Sequence, residues 1–218
     1  MLRMDRRATR WAKTLTLATA IAASLSAAGC NMLLPFVFIG HHKEKVEAEF
    51  TKLENRRVAV VVWAPQETLF DYPHVRLELS THIADRLWAR VKNVEVVDCR
   101  KIEDYIERSL AFAIDPEIIG DKFDAEMVVY VELLEFQIRD PAAPDLLRAS
   151  IRASVNVYDL TVDPDQPKRY ELEEVAVKYP ESGTVQMTAT SSLVVRKAAY
   201  EAFADAVARK FFDYEREI

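Results

Sequence analysis

Apolar positions along the chain recur in three patterns: unbroken, four apart and alternating. Arg57-Val58-Ala59-Val60-Val61-Val62-Trp63 is unbroken and rich in β-branched residues, the pattern of a strand covered on both faces. From Tyr72 to Lys92, Val75, Leu79, Ile83, Leu87 and Val91 stand four apart with charges between them, and Pro73 suits a helix start; this predicts an amphipathic helix. Val94 to Val97 follows after a short turn, so strand, helix and strand would form a parallel right-handed crossover. A second helix is predicted over about Ile102 to Phe112, with Ile102, Tyr105, Ile106 and Leu110 on one side.

From Ala125 the pattern changes to consecutive strands, predicted over Ala125 to Ile138, Leu147 to Leu160 and Lys168 to Tyr179. The middle one alternates over its whole length. Leu147, Ala149, Ile151, Ala153, Val155 and Val157 form one row, and Arg148, Ser150, Arg152, Ser154, Asn156 and Tyr158 the other, so one face is expected buried and one polar. Loops are expected around Pro141 to Pro144 and 163–167, where prolines cannot continue a ladder. In the first of the three strands, Glu132 and Glu135 are expected on opposite faces, since their spacing is odd. A closing helix is predicted from about Ser191 to Glu215, with Val195, Ala199, Phe203, Val207, Phe211 and Tyr214 as its apolar stripe. The order β-α-β-α-β-β-β-α describes an α+β (mixed α/β) domain over 57–218, one mixed sheet with helices packed on it.

The chain begins differently. Arg3, Arg6, Arg7, Arg10 and Lys13 precede an uncharged run from Thr14 to Gly29, the layout of a secretory signal over 1–29. The run is Ala-, Thr- and Ser-rich and short for a membrane span of roughly 20 apolar residues. Leu25-Ser26-Ala27-Ala28-Gly29-Cys30 resembles a bacterial lipobox, which implies export, cleavage before Cys30 and attachment of lipid, palmitate included, to Cys30. Ala27 stands where that motif usually has Leu, and ordinary signal cleavage beside an incidental cysteine is the alternative. Asn31 after the cysteine favours the outer membrane by the proteobacterial sorting rule, with the inner membrane as the alternative. Residues 30–56 would be tether and linker. Met32 to Ile39 is apolar and would either dip into the headgroup boundary or pack on the domain. His41 to Arg57, with Val46, Phe50 and Leu53 at near-helical spacing, is expected to be a short helix or linker.

Charge narrows the partners. The whole chain has 29 Lys+Arg against 35 Asp+Glu; without residues 1–29 these become 24 and 34, a net charge of −10. No nucleic-acid partner is expected, because such binding needs clustered cations to neutralise phosphates. With Cys30 lipidated, Cys99 has no partner for a disulfide within the chain, so stability must come from a core. The chain has four glycines, Gly29, Gly40, Gly120 and Gly183, and none opens a phosphate-cradling loop. His41-His42 with Glu44, and His74 with His82, lack a metal-ligand spacing; no metal and no cofactor are expected. Asp163-Pro164-Asp165 lacks the Gly and distal Glu of a calcium loop. Cys99 reads as a structural thiol rather than a nucleophile, and Glu171, Glu173 and Glu174 as a solvated acidic edge.

Four stretches carry a wider resemblance: Arg57 to Trp63, Val94-Glu95-Val96-Val97-Asp98, Asp124 to Tyr130 and Ala153 to Asp159. Over about residues 56 to 213 the succession of elements resembles the family of the TolB amino-terminal domain, the penicillin-binding-protein activator lipoprotein and the curli secretion lipoprotein, CsgG. That resemblance implies a non-enzymatic periplasmic adaptor or accessory factor in envelope assembly or secretion, with a protein partner. The alternative within the same resemblance is a homo-oligomeric outer-membrane channel subunit of CsgG type. The expected partner-binding row is Arg148, Arg152, Asn156 and Tyr158, since Arg and Tyr are enriched among binding hot spots.

Overall fold

The computed structural model describes residues 43–109, 114–140, 142–162 and 167–217; Cys30, the apolar stretch after it, His41-His42 and the Asp163-Pro164-Asp165 turn lie outside these. In chain order the elements are β1 (Lys43–Val46), β2 (Arg57–Trp63), α1 (Gln66–Asp71), α2 (Val75–Arg90), β3 (Glu95–Val96), α3 (Cys99–Ser109), α4 (Pro116–Phe123), β4 (Met127–Asp140), β5 (Ala143–Asp159), β6 (Lys168–Tyr179), β7 (Val185–Gln186), α5 (Ala189–Ala208), a 3-10 turn (Arg209–Phe211) and β8 (Tyr214–Glu217).

The chain divides into two units. The small one holds the ends, where β1 pairs with β8 and Lys43 meets Glu215 at 2.9 Å and Arg216 meets Glu44 at 2.7 Å. The large unit, Val46–Tyr214, is the mixed α/β body. Its sheet runs β3-β2-β4-β5-β6, with β7 added to β5. β2 lies parallel to β3 and β4, as a crossover requires, and β4, β5 and β6 form an antiparallel meander.

β2 is apolar throughout because both its faces are covered. Val58, Val60 and Val62 enter a larger core, and Ala59 and Val61 a smaller one. The larger core receives Val75, Leu79, Ile83 and Leu87 from α2 and Val195, Ala199, Phe203 and Val207 from α5, packed on Val129, Val131, Ile151 and Val155 of the meander. Each of the Val, Leu, Ile and Phe side chains among these, fully buried, contributes roughly 1.5–3 kcal/mol. On the other face Ile102 and Ile106 of α3 and Ile119 of α4 close over Ala59, Val61 and Val128. This second layer is smaller. It reaches β2 and the first part of β4, and leaves the rest of the meander's outer face open.

Several expectations are corrected. α1 and α4 are additional helices; α4 starts with Asp115 as its cap, accepting from the Glu117 N–H at 2.9 Å, with Pro116 in its first turn. β5 starts at Ala143, and Asp140 pairs with Ala143, so a tight turn replaces the loop expected from Pro141 to Pro144. Pro144 is accommodated because the register shifts there, between Arg139 and Asp140. α5 ends at Ala208; Phe211 is buried from the 3-10 turn, and Tyr214 belongs to β8. In the stretch expected to be helix or linker, Lys43–Val46 is strand, while Phe50 and Leu53 are core residues. Asn55 and Asn93 both take left-handed backbone, with φ of 57° and 52°, and join through their side chains at 3.0 Å.

Candidate functional site

β5 supplies the site, and its alternation is as predicted: Leu147, Ala149, Ile151, Ala153, Val155 and Val157 are each buried to within 1% of complete. The opposite row therefore faces outward from the larger core. The structure divides that row in two.

At the far end of the row, Asn156 is buried, and its Oδ1 accepts from Arg169 Nε at 3.3 Å. Tyr158 is half-buried against the smaller core and meets Tyr130 edge-on, with ring centroids 6.2 Å apart. Burial, with Glu132 nearby, pushes the Tyr130 phenol up to about 12. Tyr158 thus sits against the layer that α3 and α4 build and Asn156 is closed in beside Arg169, whereas Arg148 and Arg152 lie on the open half. The four predicted residues share one strand face but two environments.

The open half holds a polar network that the sequence reading had split. β4 carries a bulge at Leu134: Leu133 pairs with Ala153, and Glu135, the second residue on, pairs with Arg152. The extra residue resets the alternation, so Glu132 and Glu135 share the polar face instead of opposing each other. Glu135 accepts from Ser150 Oγ at 2.8 Å and lies 3.7 Å from Arg152 Nε. Arg152 also reaches Glu174 of β6 at 3.3 Å. Arg148 donates from Nη2 to the Glu181 carbonyl at 3.2 Å, while its Nε is buried without a partner. A depression of about 560 Å³, walled by Glu135, Ser150, Arg152, Lys178 and Glu181, opens between the strands. Glu135, Ser150, Lys178 and Glu181 were not expected here. Ser150 shares the parity of Arg148 and could have been added on that ground; Glu135 required knowledge of the bulge.

The other candidates resolve locally. Cys99 is buried, and desolvation pushes its thiol up to about 11, so it stays protonated at neutral pH. His82 lies edge-on to Tyr200 at 6.1 Å. Glu171 pairs with Arg169 at 3.0 Å and Glu174 with Arg152, while the Glu173 N–H donates to Glu49 at 3.0 Å. Among the described residues no group of three His, Cys, Asp or Glu side chains converges as a metal site, and no helix is long and apolar enough to cross a membrane. The open face is therefore a charged, hydrogen-bonded surface.

No family model matches the chain, and no curated protein does. Solved structures with a similar arrangement include a PelC dodecamer from Paraburkholderia phytofirmans, at 12% identity over 78% of this chain and 96% of that one, with a TM-score of 0.43. Protein CT253 from Chlamydia trachomatis matches at 16% identity over 70% of this chain and 96% of that one, TM-score 0.40. Lipoprotein GNA1162 from Neisseria meningitidis matches at 14% identity over 69% and 99%, TM-score 0.37. Similarity this distant decides neither activity nor assembly.

Proposed function

We propose that the chain is a lipid-anchored envelope lipoprotein whose body acts as a non-enzymatic adaptor, holding a protein partner on the open face of β4, β5 and β6. The observation that carries this reading is the half-open row, where Arg148 and Arg152 stand among Glu135, Ser150 and Glu174. Arg offers directional donors at interfaces, and the partly exposed Arg152 guanidinium can reach a partner carboxylate or carbonyl. The lipobox-like run ending at Cys30 supplies the anchor, and Asn31 favours the periplasmic face of the outer membrane. The adaptor reading is preferred to a channel subunit because the apolar face of the meander is already covered by α2 and α5, so that among the described residues the strands offer lipid no free apolar face.

Two substitutions made together test the binding face. Arg148→Glu with Arg152→Glu should remove at least one species cross-linked in cells while leaving the melting temperature within a few degrees of the parent. Retention of every cross-linked species would move the interface elsewhere. Cys30→Ala should release the protein from the membrane fraction or stall its processing; unchanged association with normal cleavage would remove the anchor from the reading.

A further inference from the structure

The sheet ends on one side at β3, at the opposite edge from β6. The Glu95 N–H donates to the Arg56 carbonyl and the Val97 N–H to the Val58 carbonyl, each at 2.9 Å, so Glu95 and Val97 turn their backbones toward β2. Consecutive residues of a strand turn theirs to opposite sides. Val96, between the two, therefore points its N–H and C=O out of the sheet. Among the described residues no hydrogen-bond partner meets them.

A groove of about 330 Å³ lies along that edge, between β3 and α2, walled by Thr81, Ala84, Asp85, Trp88, Val96 and Asp98. Trp88 is its unexpected member. The inward stripe of α2 is Val75, Leu79, Ile83 and Leu87; Trp88 stands beside it, 73% exposed, on the side that faces solvent. Trp is among the residues most enriched at binding hot spots, and its ring face attracts cations. Asp85 and Asp98 are exposed on the same wall. Burial, and after it the Asp98 and Asp85 carboxylates, push the Cys99 thiol up to about 11, which places both carboxylates together at the start of α3. Among the described residues Arg100 is the one Lys or Arg of the wall, so the groove carries more negative than positive charge.

We propose that this edge takes up a short extended segment of a partner protein that carries an Arg or Lys between apolar residues. The segment adds to β3 as one more strand through Val96, the edge-addition mode of peptide recognition. Its cation lies on the Trp88 ring beside Asp85 and Asp98, where ring face and carboxylates favour the same charge. β3 is short, as edge strands that avoid indiscriminate pairing are, so its backbone bonds are few and the cation supplies the selectivity. The inference goes beyond the adaptor reading and uses neither the open face of β4, β5 and β6 nor the anchor.

The test titrates the full chain, carrying Cys30→Ser so that no lipid is attached, into a fluorescein-labelled peptide of sequence TVRVT and reads anisotropy. The peptide should bind saturably with one site per chain, and its TVEVT counterpart at least about tenfold more weakly. Trp88→Ala should weaken TVRVT binding at least about tenfold. Asp85→Asn with Asp98→Asn should weaken it several-fold, with circular dichroism unchanged, since Asn can still accept from the Arg100 N–H that Asp98 Oδ1 now holds at 3.0 Å. The backbone arm uses two altered peptides, one methylated on the valine amide nitrogens and one on the remaining amide nitrogens. Their affinities should differ at least about tenfold, because a strand turns alternate amides to its neighbour. No saturable binding, TVEVT binding as tightly as TVRVT, indifference to Trp88→Ala, or equal affinity of the two methylated peptides would each overturn the proposal. Self-association that Trp88→Ala removes, with no peptide bound, would overturn it in favour of a second copy of the chain on the same edge.

Discussion

Glu126 sits one residue before β4 and fastens the start of the neighbouring strand. Its carboxylate accepts from the Arg57 N–H at 3.0 Å and from the Arg56 guanidinium at 2.5 Å. These bonds, the backbone one first, hold it below the ordinary carboxylate value of 4.5. A carboxyl lowered by folding stabilises the folded state above its ordinary value, and that contribution disappears as pH falls through the lower folded value. Glu126→Gln should therefore melt below the parent at pH 7, and the gap should narrow from about pH 4.5 downward. Thermal melts across pH 7 to 2.5 would show this; a gap that stays constant would mean that the ionised form contributes nothing. No periodicity announces such a residue, since its bonds depend on β2 and β4 lying side by side.

At the scale of elements, strands covered on one face were the most legible. β5 alternates in burial from Leu147 to Val155, and Lys168–Tyr179 has the bounds that the sequence predicts, because a single buried face leaves a period of two in the residues themselves. Ile151, 1% exposed, should accordingly tolerate Ile151→Asp badly, at about 3 kcal/mol or more, since the charge would enter an apolar layer; a melt like the parent's would place the strand the other way up. The Leu134 bulge was illegible by the same logic. Counting by twos assumes that no residue is extra, and an extra one inverts every assignment beyond it, as it did for Glu135. α4 escaped because its eight residues are shorter than the window in which a helical period can be recognised, although Asp115-Pro116 marks its start.

For the whole molecule the sequence conveyed the class and most of the order, but drew the body's edge too late. The charges around Phe50 and Leu53 dominate the pattern and suggest a short helix or linker outside the body; the structure buries Leu53 completely and Phe50 nearly so. Phe50 packs edge-on to Tyr170 and Phe211, with centroids at 5.0 and 6.3 Å. Leu53→Ala should destabilise the body by about 2–5 kcal/mol, as loss of a fully buried leucine does, measured by urea unfolding. A linker residue would lose less than 0.5 kcal/mol or so, and that outcome would detach the segment from the core.

The same segment has a further effect. The Phe50 N–H donates to the Lys210 carbonyl at 3.0 Å, and Lys210 Nζ reaches Glu49 at 2.6 Å, so the chain enters and leaves the body at one place. Topologically the body is then a ring with a single cut, and the position of the cut is a matter of gene order rather than of packing. A circular permutant that joins these ends by a short linker, and opens instead at the turn between β4 and β5, should keep the β2, β4, β5 and β6 ladder and melt as one cooperative unit; loss of the fold would show that the order of the elements, and not only their packing, holds the body together.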